Sequence, residues 1–393
     1  MASQRELDLI GAAADGNLER VRTLLNGGVK VNCKHKSGST PLLAAALFGH
    51  VEVMRVLIVQ GADLKLRYPN DATALILAAA QGQPEAVELL LLSGARTTER
   101  TSDGSTPLIA AAGNGQTNVF RVLLRRGSDI NEKNNLGITP LIAALFGSHD
   151  ESVRYLLREG ADPNIQSYKG ITPLNVALSS ATHLLPDLIA AGADPNLKDS
   201  QGRPPLLLAA AGDDIEAVRT LIANGADVNI TNPDGSSALI AAVTAGNLAM
   251  VEMLVASGAD VNRPTPGGLT PLIVAIAREH NHLIEPLLGA GADIEAATPA
   301  GVTPLLAAAS GNSPAVVPLL EAGANPDVIE KQGMNALHIA CARGEADIVK
   351  ALLRAGADVE TRTAQGLSPA EVAVAAGFPE VAALFDQSSS FLQ

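Results

Sequence analysis

The chain has no tryptophan, and its six phenylalanines and three tyrosines make aromatics only 2% of 393 residues. Apolar residues nonetheless reach 47%, so the interior has to be assembled from many small, similar side chains rather than around a few large rings. That argues against a conventional enzyme core. Only two cysteines occur, Cys33 and Cys341, in neither metal-ligand nor redox spacing, which excludes a disulfide framework and a zinc site and points to a reducing compartment. Basic charge is scarce: 28 Lys and Arg stand against 41 Asp and Glu, a net −13, and the mean field disfavours phosphate backbones and anionic lipid surfaces as partners. A mean hydropathy of +0.20 raises the question of a membrane protein. The long uncharged stretch 296–320 is broken by Pro299, Pro304, Pro314, Pro318, Gly301 and Gly311, so no transmembrane helix is expected. The opening Met-Ala-Ser-Gln-Arg-Glu lacks the basic, apolar and cleavage segments of a signal peptide, and secretion by that route is not expected either.

What the chain does have is one phrase, repeated. Thr40-Pro41-Leu42 returns as Thr73-Ala74-Leu75, Thr106-Pro107-Leu108, Thr139-Pro140-Leu141 and Thr172-Pro173-Leu174, a step of 33 each time. It continues as Pro204-Pro205-Leu206, Ser237-Ala238-Leu239, Thr270-Pro271-Leu272, Thr303-Pro304-Leu305, Asn335-Ala336-Leu337 and Ser368-Pro369-Ala370, with two steps shortened to 32. Arg5 to Gly28 has two helical patterns without the phrase and reads as an opening cap, for about twelve units in all.

The phrase is helix-end chemistry. Thr before Pro is an N-cap followed by proline at the first helical position, where the missing N–H costs nothing. A helix should therefore start at each Thr-Pro, run through small residues such as Ala44-Ala45-Ala46 and stop near Gly49 or its equivalents. A second apolar pattern, as in Val53-Met54-Arg55-Val56-Leu57-Ile58, predicts a second helix with one buried stripe. It ends at Gly-Ala-Asp, where Gly61, Gly192, Gly225, Gly258, Gly291 and Gly356 supply a left-handed position, and the chain leads into a finger turning at residues such as Pro233-Asp234-Gly235.

Thr-Pro-Leu in phase with Gly-Ala-Asp resembles the ankyrin repeat, from about Arg5 to Asp386. The resemblance implies an all-α solenoid of stacked helix-turn-helix repeats with projecting, β-hairpin-like finger loops. One departure stands out: the family's usual His after Thr-Pro-Leu survives only as Leu337-His338, and Leu43, Ile109, Ile142, Ile273 and Leu306 replace it, exchanging an inter-repeat hydrogen bond for apolar burial. No linker or composition shift divides the chain, so residues 1–386 are expected to form one continuous domain. Within it 5–33 is the N-terminal capping unit, 34–362 the central repeats and 363–386 the C-terminal capping unit, with 387–393 a flexible tail. Pro186, Pro286 and Pro318 fall within second-helix patterns, and bends or easily opened joints are expected around 175–192 and 306–323.

A search for chemistry finds little. No nucleophile elbow, phosphate-binding glycine loop or His-Glu-x-x-His phrase appears, and the seven histidines build no catalytic set. His280 and His282 are spaced to face different sides of a helix, and His50 and His149 share one repeat slot, which favours a structural role. No enzyme activity, cofactor or metal is expected. Cys341 reads as a buried substitute for alanine.

Binding should leave its trace in residues that do not repeat. Residues 1–198 hold 19 Lys/Arg and 19 Asp/Glu, whereas 199–393 hold 9 and 22, so the whole excess charge lies in the second half. Just before each finger stand Lys34, Arg67, Arg100, Lys133, Gln166 and Lys198, then Thr231, Pro264, Ala297 and Ile329, a basic stripe confined to one half. Solvated charge that merely keeps fingers soluble is the competing account. Phe48 and Phe146 end first helices and Tyr68 and Tyr168 fall in fingers, places that face the concave side in the ankyrin architecture, while Phe120 and Tyr155 are expected in the core. Exposed aromatics beside arginines have the composition of an interface hot spot. The expected function is a noncatalytic protein-binding module or scaffold. Its candidate partner surface is Phe48, Tyr68, Phe146 and Tyr168 framed by Lys34, Arg67, Arg100 and Lys133, suited to an acidic or aromatic-containing segment. The alternative is an adaptor presenting a client to a modifying enzyme such as a ubiquitin ligase. A cytoplasmic monomer is expected, with the nucleus as a second compartment, and no nucleic-acid or membrane partner. Asn131, Asn164, Asn196, Asn229 and Asn262 resemble the slot that asparaginyl hydroxylases modify in this family, their ordinary role being turn chemistry.

Overall fold

The computed structural model describes residues 3–311 and 313–386; the expected tail 387–393 lies outside them. Among the described residues the chain forms 24 α-helices and three short 3-10 helices, with no strand. It divides into two compact units, Met1–Gln201 and Gly202–Gln393.

In the first unit, the leading helices of successive pairs (Gln4–Ala14, Pro41–Phe48, Ala74–Ala80, Pro107–Gly113, Pro140–Phe146, Pro173–Ser180) pack one on the next. The partner helices, such as Val51–Val59 and Pro84–Leu92, form the layer behind. The leading helices can approach because their contact faces are alanines, Ala45, Ala46, Ala78, Ala79, Ala111, Ala112 and Ala144, all fully buried. The Thr-Pro expectation holds in detail: the Thr139 hydroxyl accepts from the Ile142 N–H, Pro140 is the first helical residue, and the same cap recurs at Thr40, Thr73, Thr106 and Thr172. Phe120 is completely buried and meets Tyr155 edge-on at 5.5 Å.

The second unit repeats this plan from Pro205–Ala211 to Pro379–Ala382 with smaller means. Among the described residues its fully buried core is aliphatic, with Leu239, Met250, Leu272, Leu287 and Leu319 in place of any ring but His338. Among the caps of the leading helices Pro204 is the exception, a residue with no side-chain acceptor.

Two glycine slots differ in their physical reason. Gly61 follows Val51–Val59 at φ 83°, and a Cβ there meets nothing within 4 Å, so only the backbone angle demands glycine. Gly137, at φ 77°, would place a Cβ 2.4 Å from the Tyr168 nitrogen, so there the next finger leaves no room.

The three prolines of the second-helix patterns are not equivalent. Pro186 and Pro286 stand in the first turn of Leu185–Ala190 and Ile284–Gly289, each preceded by a 3-10 turn, where no helix bond is lost. Thr117–Val119 opens Phe120–Arg125 in the same way without a proline. Pro318 alone lies inside a helix, Ser313–Glu321.

Candidate functional site

Each finger is a tight hydrogen-bonded turn. In the first, the His35 N–H donates to the Ser39 carbonyl at 2.9 Å and the Gly38 N–H to the His35 carbonyl at 2.8 Å. Neighbouring fingers touch through single backbone bonds, Ser102 N–H to Asn70, Asn135 N–H to Asp103 and Tyr168 N–H to Leu136. On this scaffold the aromatic candidates are mostly open to solvent: Phe48 is 54% exposed, Phe146 55% and Tyr168 71%, whereas Tyr68 is half-buried. Tyr168 lies beside exposed Leu136 on the adjoining finger, with the Lys133 ammonium 5.6 Å from its ring centre. The Lys133 ammonium gives the ring a cationic neighbour, with the apolar Leu136 side chain exposed on the adjoining finger.

The basic stripe is not one kind of thing. The Arg67 guanidinium donates to the Asp71 carbonyl of its own finger at 2.9 Å and to the Arg100 carbonyl of the next at 2.8 Å. Arg100 repeats this on Gly104 at 2.8 Å and Lys133 at 3.0 Å, and also pairs with Glu132. These two arginines are clasps between fingers, each bonding one carbonyl of its own finger and one of the next through Nη1. Lys34 is exposed, as Arg67 is, but makes no such bond to a neighbouring finger.

A second clasp was not anticipated from the sequence. Asn164 donates its amide to the Gly192 carbonyl at 2.8 Å and accepts from the Asp194 N–H at 2.7 Å. Asn32, Asn229 and Asn262 make the same pair of bonds to Gly61 and Asp63, Gly258 and Asp260, and Gly291 and Asp293. The turn chemistry expected of these asparagines is done two residues earlier, where Asp162 accepts from the Asn164 N–H and Asp260 from the Asn262 N–H. The signal was present as Asn in phase with the next Gly-Ala-Asp.

The histidine slot is structural in the same sense. The Nε2 atoms of His50, His149 and His280 lie 2.8, 3.2 and 3.1 Å from the carbonyls of Ala14, Gly113 and Thr244 at the end of the preceding leading helix. His282 reaches Gly246 at 2.9 Å. His338 is fully buried, bonded to Asn335 and to the Leu367 carbonyl of the following unit, and burial pushes its pKa below the usual value. Burial drives the thiols the other way, Cys33 up to about 11 and Cys341 up to about 12, which leaves both as inert thiols. No helix among the described residues is long and apolar enough to cross a membrane.

A family model described as ankyrin repeats (3 copies) matches residues 9–101, 75–167, 174–265 and 305–389. No curated protein matches the chain.

Proposed function

Because the chain belongs to the ankyrin-repeat family, whose repeats are generally protein–protein interaction modules, we propose that it is a noncatalytic binding module that holds a partner polypeptide on the fingers and leading helices of its first unit. That side corresponds to the concave face of the family's architecture. The observation that carries the reading is the exposure of Phe48, Phe146 and Tyr168, all in the first unit; among the described residues the exposed large apolar side chains of the second, Leu269, Val317, Ile329 and Val374, include no ring. Aromatic side chains offer much contact area for little lost rotamer freedom, which makes them typical anchors of interfaces. Buried, protonated thiols and the low cysteine count fit a reducing compartment, and the cytoplasm is the natural site of action.

The test is capture from host lysate with mass spectrometry. The intact chain is compared with a Phe48→Ala, Phe146→Ala, Tyr168→Ala variant whose circular dichroism is unchanged. Each recovered partner is then titrated by calorimetry. Loss of affinity by about tenfold or more per anchor removed is the expected result. Equal affinity of both proteins for every partner sinks the first-unit surface.

A further inference from the structure

The first finger differs from every other in having two lysines, Lys34 and Lys36, on either side of His35. Both lysines are exposed, and neither is paired among the described residues. The arginines of the next two fingers bond neighbouring carbonyls and Lys133 lies against Tyr168, whereas the first finger presents two ammonium groups two residues apart, both without a partner among the described residues. From Lys30 to Lys36 there is no acidic residue, in a chain whose net charge is −13. The finger also borders a groove of about 870 Å³ lined by Glu6, Leu7, Lys34, His35, Lys36, Gly38 and Pro69.

The chemistry of that groove is specific. Its one carboxylate, Glu6, is turned to local use: it accepts from the Ser3 N–H at 2.6 Å, and that bond holds its pKa below the usual value. His35 Nδ1 is engaged by the Ser37 hydroxyl at 2.6 Å and its backbone N–H at 3.1 Å, which fixes the ring. Leu7 and Pro69 provide apolar floor, and Gly38 has no side chain because a Cβ would stand 2.7 Å from Pro69. Two flexible ammonium groups over such a floor match carboxylates flanking an apolar side chain.

We propose that the groove between helix Gln4–Ala14 and the first finger is a docking site for an acidic polypeptide segment carrying an apolar residue, with Lys34 and Lys36 binding the carboxylates and Leu7 and Pro69 the apolar side chain. This rests on the protein-binding reading above and names a second surface for it, separate from the exposed aromatics. Exposed ion pairs add little to affinity, so the charges select and steer while the apolar contact holds. The affinity is therefore modest and falls with salt.

The test uses the full chain and fluorescence anisotropy of a short fluorescein-labelled peptide in which glutamates surround a central leucine. Binding should weaken about tenfold or more in Lys34→Glu, Lys36→Glu. It should weaken severalfold when the peptide leucine is replaced by serine, and stay unchanged in a charge-matched control in the second unit, Arg278→Glu, Lys331→Glu. Absence of binding, binding unaffected by the first variant, or tighter binding of a labelled single-stranded RNA of matched length overturns the proposal. Because Phe48, Phe146 and Tyr168 are intact throughout, its failure leaves the aromatic surface untouched, and failure of that surface leaves this groove to stand or fall by its own titration.

Discussion

The two units solve one problem with different charges. Every repeat must satisfy backbone groups of the next, and in the first unit the two repeats with Lys65 and Thr98 in the clasping asparagine slot are those in which Arg67 and Arg100 reach across the fingers instead. In the second unit the asparagines persist at Asn229 and Asn262, after which carboxylates take over. Glu295 accepts from the Asn325 N–H at 2.7 Å and Asp327 from the Asp358 N–H at 2.7 Å. A repeat interface thus tolerates cationic, neutral or anionic clasps, because what it needs is a donor or acceptor at a fixed spacing. Part of the charge contrast follows from that choice: the first unit holds 19 Lys/Arg and 20 Asp/Glu, the second 9 and 21.

The largest expected break in the comparison is in the cores. Phe120→Ala removes a fully buried ring and should cost the first unit about 3–5 kcal/mol. Native-state hydrogen exchange should show the loss centred on the repeats around Phe120; if the amides of the second unit lose protection equally, the units do not unfold separately. A sharper comparison sets clasp against clasp. Arg67→Ala, Arg100→Ala and Asn229→Ala, Asn262→Ala each remove four backbone contacts and should each cost about 2 kcal/mol by thermal or denaturant unfolding. Raising the salt should shrink the arginine effect and leave the asparagine effect standing, since only the first involves charge. Equal salt sensitivity would refute the distinction.

The smallest expected effect concerns acid. His338 is buried neutral with its pKa lowered from 6.5, so between the folded and unfolded values the unfolded chain binds the extra proton. Its contribution is present above the unfolded pKa and is lost as pH falls toward the folded one. Melting temperature should therefore drop on acidification below about pH 6.5. His338→Leu, which copies the residue type at Leu43 and Leu306, should flatten that part of the profile; an unchanged slope would assign the acid sensitivity elsewhere.

Much of the fold was legible because helix ends write themselves locally. Thr139 followed by Pro140 fixes a cap and a first turn within four residues, and Gly61 marks a left-handed exit. The candidate surface was legible in part. Phe48, Phe146 and Tyr168 could be placed outside because they interrupt a repeating apolar pattern, yet Tyr68, in the same finger slot region as Tyr168, turns half inward. Arg67 and Lys34 occupy equivalent positions, and sequence treats them as one stripe; only the neighbouring carbonyl at 2.8 Å makes Arg67 a clasp.

The sequence by itself therefore determined the repeat, its helix boundaries, its small-residue packing faces and the uneven charge of the two halves, because each follows from backbone propensity or composition. Tertiary structure alone decided which polar side chains are committed. A hydrogen bond from Asn164 to Gly192, or from Arg100 to Lys133, joins residues far apart along the chain, and whether a donor points to a neighbour or to solvent depends on how one repeat is seated on the next. That seating left Lys34 and Lys36 unpaired among the described residues while tying the arginines of the next two fingers to neighbouring carbonyls, and charge that is not used inside the fold is the charge a partner can meet.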